Sequence, residues 1–113
     1  PKSIPLVDAA ALPLVGLTVL QVFAQAGQRA DEQPRPDRQQ KSVLVQAAAG
    51  GVGSFAVQYT RRVLGYGEVV GTCSERSAPQ VLALGATSYV DYKRAEFDET
   101  VRAAGGVDAA IDP

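Results

Sequence analysis

The chain has 113 residues, enough for one domain, and 46% of them are hydrophobic, enough for a single core. Its 11 Lys and Arg nearly balance its 12 Asp and Glu, and a pI near 5.3 leaves no basic field to attract nucleic acid. With one cysteine and no histidine it can form neither an internal disulfide nor a zinc site of its own.

Methionine is absent, so the chain is expected to be part of a longer protein. The first feature is an uncharged run, "AAALPLVGLTVLQVFAQAGQ". Its length raises a membrane span, and Lys2 ahead of it with "AQA" behind it imitates a secretory signal. Pro13, Gly16, Thr18, Gln21 and Gln25 argue against a span, while Leu12, Val15, Val19, Val22, Phe23 and Ala26 recur at helical spacing. A buried helix is the simpler reading, with Asp8 placed to cap it, Pro13 restarting or kinking it and Gly27 ending it. Residues 28–41, "QRADEQPRPDRQQK", hold two prolines and many charges and are expected to form an exposed loop.

From residue 42 the apolar periodicity alternates. "SVLVQA", "EVVGTCS", "SYVDY" and "VDAAID" have the pattern of short strands; "GSFAVQYTRRVL", "APQVLALG" and "AEFDETVRAAG" that of helices. A β-α-β-α-β-α-β order buries both sheet faces only as a parallel sheet with right-handed crossovers. The fold class is therefore α/β, a doubly wound parallel sheet. The chain stops after the fourth strand, where such a sheet is expected to continue.

The turn from the first strand into the first helix carries the glycines. Aligned on G-x-G-x-x-G, it is Ala48, Ala49, Gly50, Gly51, Val52, Gly53, with alanine at the first glycine position. Gly50 would let the backbone approach a pyrophosphate, and Gly53 would let the helix pack tightly on the strand. The amides of Gly51, Val52 and Gly53 would point at the phosphates from the positive helix end. A flexible turn of no function is the bland alternative, and the β-α-β setting favours the nucleotide.

An NAD site usually has an acid at the end of the second strand, on the ribose 2′-hydroxyl. Here that strand ends at Cys73 and Ser74, neither of which repels a 2′-phosphate, and Arg76 is near enough in sequence to pair with one. NADPH is thus expected over NADH, with Glu75 the competing acid. Tyr92 could lie against the adenosine end or be a half-buried tyrosine of no function. Cys73 and Tyr59 are expected in the core, Cys73 having no histidine to activate it.

Three separated segments, "DAAALPLVGLTVLQVF", "SVLVQAAAGGVGSFAVQ" and "LGATSYVDYK", resemble the medium-chain dehydrogenase/reductases, specifically their zinc-free, quinone oxidoreductase-like branch. The resemblance implies a Rossmann-type NAD(P)-binding domain over 42–113, incomplete in this chain. Residues 1–27 would be the helix leading from a catalytic domain that this chain lacks. It also implies hydride transfer from NADPH to a quinone or to the double bond of an α,β-unsaturated carbonyl compound, with a homodimer as a common assembly. The cytoplasm is the default compartment, with the mitochondrion as the alternative. By resemblance Thr18 falls beside the nicotinamide and its ribose, and Ser74, Arg76 and Tyr92 fall where such reductases hold the 2′-phosphate. No catalytic acid is identified, and a nucleotide-binding structural or regulatory subunit that has lost the chemistry is the alternative. In these relatives the first strand follows a short, glycine-containing loop, whereas here a longer charged segment ends in Gln40 and Lys41.

Overall fold

A computed structural model describes residues 2–28, 35–94 and 96–112. Strands β1 (Ser42–Val45), β2 (Glu68–Cys73), β3 (Ser88–Asp91) and β4 (Ala109–Ile111) form one sheet of order β3-β2-β1-β4, and every neighbouring pair is parallel. Helices α3 (Gly51–Gln58), α4 (Ala78–Leu84) and α5 (Phe97–Ala103) connect them. The doubly wound parallel sheet expected from the sequence is the architecture found.

Val43, Val45, Val69 and Cys73 alternate along β1 and β2 onto one sheet face, where they join Ala56 and Val57 of α3 and Val81 of α4 in the main core. Gly71 lies on that face because a Cβ there would sit 2.8 Å from both Ala48 Cβ and Val81 Cγ1. On the opposite face Val70 borders a small groove shared with Thr100 and Val101 of α5 and with Ala104, which caps its C-terminus.

The N-terminal segment forms α1 (Leu6–Ala9) and α2 (Leu12–Gln25). Asp8 caps neither helix: α1 starts at Leu6, which puts Asp8 inside its first turn, and neither helix start has a side-chain cap. Pro13 does mark a restart, in the first turn of α2, where its missing N–H costs no hydrogen bond. Gly27, at φ +72°, ends α2 in a Schellman closure, its amide donating to Ala24 O and that of Gln28 to Phe23 O. The helix is buried along one side. Gly16, Val19 and Phe23 are enclosed, Phe23 against Tyr59 at 5.4 Å between ring centroids, whereas Leu6, Val7, Leu14 and Leu17 are exposed. The buried helix read from the sequence is thus half right, because only the α3-facing side has a partner here. Leu6–Gln25 also has the length and apolarity of a membrane-crossing helix, with a mean hydropathy of 1.9.

The exposed loop expected over 28–41 lies partly outside the described residues, at 29–34. Beyond them Pro36–Gln40 is a 3-10 turn, and Arg38 is 3% exposed, a correction to the solvated reading. The cause is tertiary. Arg38 Nη1 donates to Leu64 O at 3.4 Å, and Arg61 Nη1 donates to Tyr66 O and Gly67 O at 2.7 and 3.1 Å, so two guanidinium groups gather carbonyls where a helix ends. That end is itself unusual: α3 passes at Tyr59 into a wider π turn, Tyr59–Leu64, instead of continuing as α-helix. Thr60 is fully buried and its hydroxyl donates to Ala56 O at 2.6 Å, competing for the carbonyl that an α-helical amide would use.

Asp108 fixes β4 beside β1. Its carboxylate accepts from the amide and hydroxyl of Ser42 at 2.8 and 3.2 Å. The Ser42 amide bond, above all, holds the Asp108 carboxyl below the ordinary carboxylate range. A carboxyl depressed in the fold stabilises it above the unfolded pKa of 3.8 and loses that contribution as pH falls below it. Acid titration of the wild type should therefore lower the thermal midpoint more steeply below that pH than titration of Asp108→Asn. Parallel curves would remove Asp108 from the acid response.

Candidate functional site

The chain crosses from one sheet edge to the other after β3, so the direction of winding reverses between β1 and β4, and ligands in open α/β sheets bind at the carboxyl end of such a reversal. A cleft of about 570 Å³ opens at that end. Residues following every strand contribute to it: Gln46, Ala47, Ala49 and Gly50 after β1, Thr72 to Ser74 and Ser77 at β2, Tyr92 after β3 and Asp112 after β4.

The glycine turn forms one wall. Val45 ends β1, and Ala47 takes φ +49°, uncommon for a residue with a side chain. It is held there from β2, where Thr72 Oγ1 accepts from the Ala47 amide at 3.0 Å and Thr72 O from the Ala48 amide at 2.9 Å. Gly50 precedes α3 with φ −74° and ψ 171°, and no side chain caps the helix. Its glycine identity is a matter of space rather than of dihedral: a Cβ would lie 3.3 Å from Ala47 O. Gly53 is more tightly constrained, since a Cβ there would stand 2.1 Å from Ala47 O and 2.9 Å from Ala48 Cα. The expected close packing of helix on strand is present at Gly53.

The first backbone bond of α3 runs from Ser54 N to Gly50 O at 2.8 Å, so the amides of Gly51, Val52 and Gly53 are left without partners among the described residues. Three amides at the positive end of a helix, with no capping side chain, are a ready receptor for an anion.

The far wall is the end of β2. Ser74 is half-buried and its hydroxyl lies 3.3 Å from that of Ser77. Arg76 is exposed in the 3-10 turn Glu75–Ser77 and has no ion pair among the described residues. Tyr92 is 56% exposed on the cleft. Glu75 is engaged, its carboxylate lying 2.6 Å from Arg94 Nη2. Cys73 is 2% exposed, in the core as expected, and also touches the cleft; burial, with a smaller contribution from Asp91, raises its thiol pKa.

Of the residues predicted from sequence, the cleft wall includes Ala49, Gly50, Ser74 and Tyr92. Gly51, Val52 and Gly53 follow the lining residue Gly50 as the start of α3, and Arg76 lies between the lining residues Ser74 and Ser77 in the Glu75–Ser77 turn. Thr18 is not on the wall: it sits on α2 and its hydroxyl donates to Leu14 O at 2.8 Å. Gln46, Thr72, Ser77 and Asp112 were not anticipated. With its amide nitrogen turned toward Asp112, Gln46 reaches both carboxylate oxygens, at 2.7 and 3.1 Å, and ties the end of β1 to that of β4. Their only sequence signal is position, at or shortly after the end of a strand: Gln46 and Asp112 directly follow β1 and β4, Thr72 is the penultimate residue of β2 and Ser77 ends the turn after it.

The zinc-binding dehydrogenase family model matches residues 51–113. Zinc does not fit this segment, which has no histidine, one buried cysteine and, among the described residues, no group of three or more acidic or cysteine side chains able to hold a metal. The chain is 34% identical to the chloroplast envelope quinone oxidoreductase homolog of Arabidopsis thaliana, over 98% of its own length and 36% of the relative's. It superimposes on the quinone oxidoreductase from Coxiella burnetii with a TM-score of 0.80 at 34% identity, over 99% of this chain and 31% of the other. The quinone oxidoreductase from Thermus thermophilus, solved also with NADPH, gives 0.74 at 32% identity, over 100% of this chain and 34% of the other. This chain thus spans about a third of the length of each. Fold, glycine turn and family model agree, and the chain belongs to the zinc-binding dehydrogenase family, as part of a quinone oxidoreductase-like medium-chain dehydrogenase/reductase.

Proposed function

We propose that the protein containing this chain is an NADPH-dependent reductase that delivers hydride to a quinone or to the double bond of an α,β-unsaturated carbonyl compound. The observation that carries this reading is the cleft of about 570 Å³ between the uncapped start of α3 and the Ser74–Tyr92 wall, acid-free on its β2 side apart from the already paired Glu75. The Thermus thermophilus relative, solved with NADPH, supports it.

When bound, the nicotinamide supplies the hydride. The residues of this chain bind and orient. The amides of Gly51, Val52 and Gly53 hold the pyrophosphate, Ala49 and Gly50 let it approach, and Thr72 keeps the turn in its strained shape. Ser74, Arg76 and Tyr92 hold the 2′-phosphate end. By the resemblance Thr18, which lies on α2 off the cleft wall, is proposed for the nicotinamide ribose; its hydroxyl donates to Leu14 O and keeps its lone pairs free to accept a ribose hydroxyl.

Arg76→Ala in the full-length protein should weaken NADPH binding about tenfold, about 1.4 kcal/mol, and leave NADH binding within about twofold, since only NADPH carries the phosphate that a guanidinium grips. Oxidation of NADPH by wild-type protein, followed by absorbance with a quinone and with an enone as acceptor, tests the reaction. Turnover with either supports it. Tight NADPH binding with no turnover on any acceptor of these classes would instead favour the nucleotide-binding structural subunit.

A further inference from the structure

Glu75 is the one acidic side chain in the turn after β2, the place from which an acid in a dinucleotide site accepts a ribose 2′-hydroxyl and repels a 2′-phosphate. It is not free to do either. Arg94, reaching across from the turn after β3, puts Nη2 2.6 Å from Glu75 Oε2, and its Nε lies 3.8 Å from Asp91 Oδ2. The Arg94 turn is itself fixed. Its amide donates to Asp91 O at 3.1 Å, and the Lys93 amide donates to Asp91 Oδ1 at 2.9 Å. The two turns so bridged are those that carry Ser74 and Tyr92 onto the cleft.

We propose that Arg94 is a positioning residue for cofactor selectivity, holding the Glu75 carboxylate in an ion pair so that the end of β2 presents Ser74 and Arg76, and no unpaired acid, to the nucleotide 2′ position. The inference rests on the NADPH reading above. It differs from a direct phosphate contact, because Arg94 acts through Glu75. Both side chains are well exposed, 72% for Arg94 and 60% for Glu75, so solvent screens the effect and moderates it.

The test titrates the full-length protein with NADPH and with NADH, following nucleotide fluorescence, in the wild type, Arg94→Gln, Glu75→Gln and the double variant. Arg94→Gln frees a carboxylate near the phosphate and should weaken NADPH about fivefold while leaving NADH unchanged or tighter, as expected for like charges several ångströms apart in a mostly aqueous setting. Glu75→Gln in the same chain should restore NADPH binding, since the freed charge is gone. A general loss of structure at the turn would weaken both nucleotides together and would not respond to Glu75→Gln, and that result overturns the inference. So does an NADPH defect that persists in the double variant, which would make Arg94 itself the phosphate ligand. A wild type that binds neither nucleotide, or both equally, removes the NADPH reading and the inference with it, whereas a selective wild type with a silent Arg94→Gln removes the inference alone.

Discussion

Gly53→Ala is expected to destabilise the protein by about 3 kcal/mol, the upper part of the range for overpacking, and to lose nucleotide binding along with the turn. The added Cβ would fall 2.1 Å from Ala47 O, 2.8 Å from Ala47 C and 2.9 Å from Ala48 Cα, all backbone, so no rotamer change can relieve it. Either α3 lifts from β1 or Ala47 leaves its positive φ, and both movements break the two bonds that Thr72 makes to the turn. Gly50→Ala is the informative companion. Its backbone suits any residue and its Cβ would meet Ala47 O at 3.3 Å, so it should fold with a loss of about 1 kcal/mol or less, while placing a methyl group on the cleft wall. Urea denaturation of both variants separates the two roles. Equal stability of Gly53→Ala and wild type would refute the close-packing account of the fingerprint's last glycine.

Phe23→Ala should cost about 4 kcal/mol, within the range for emptying a fully buried aromatic site. Phe23 is 0% exposed and packs against Tyr59 with the rings tilted by 43°, Tyr59 begins the π turn, and Val19 and Leu64 belong to the same cluster. The cavity cannot close easily, because α2 is held on α3 at Gly16 and Gly51 as well, by Phe55 at 3.5 Å and Val15 at 3.4 Å from where a Cβ would lie. The prediction makes the leading helix an integral part of the core beneath the parallel sheet. A loss below about 1 kcal/mol in chemical denaturation, the level of a surface change, would mean that α2 is a separable arm.

Most of the sheet was legible because its signals are local. Strands of three to six residues between helices at 3.6 periodicity leave few alternatives, and Gly27, Gly85 and Gly105 punctuate helix ends at positive φ. The glycine turn was legible for the same reason. Arg38 was not, since "PRPDRQQK" is as polar as a solvated loop and only the Leu64 carbonyl, distant in sequence, draws its guanidinium inside. Nor was the π turn, whose residues keep a helical pattern while a threonine hydroxyl changes the hydrogen bonding. Part of the cleft was missed because Gln46, Thr72, Ser77 and Asp112 come together only through strand order, and order is a tertiary property. Glu75 was weighed as a free acid; its partner lies 19 positions along the chain, and nothing local marks the pair.

The most direct test of the account is a crystal structure of the full-length protein with NADPH. The pyrophosphate should accept from the amides of Gly51, Val52 and Gly53, and the 2′-phosphate should lie beside Ser74, Arg76 and Tyr92, with Glu75 still paired to Arg94. A nucleotide bound outside this cleft, or one lying in it with its adenosine 2′ position turned away from the end of β2, would contradict it.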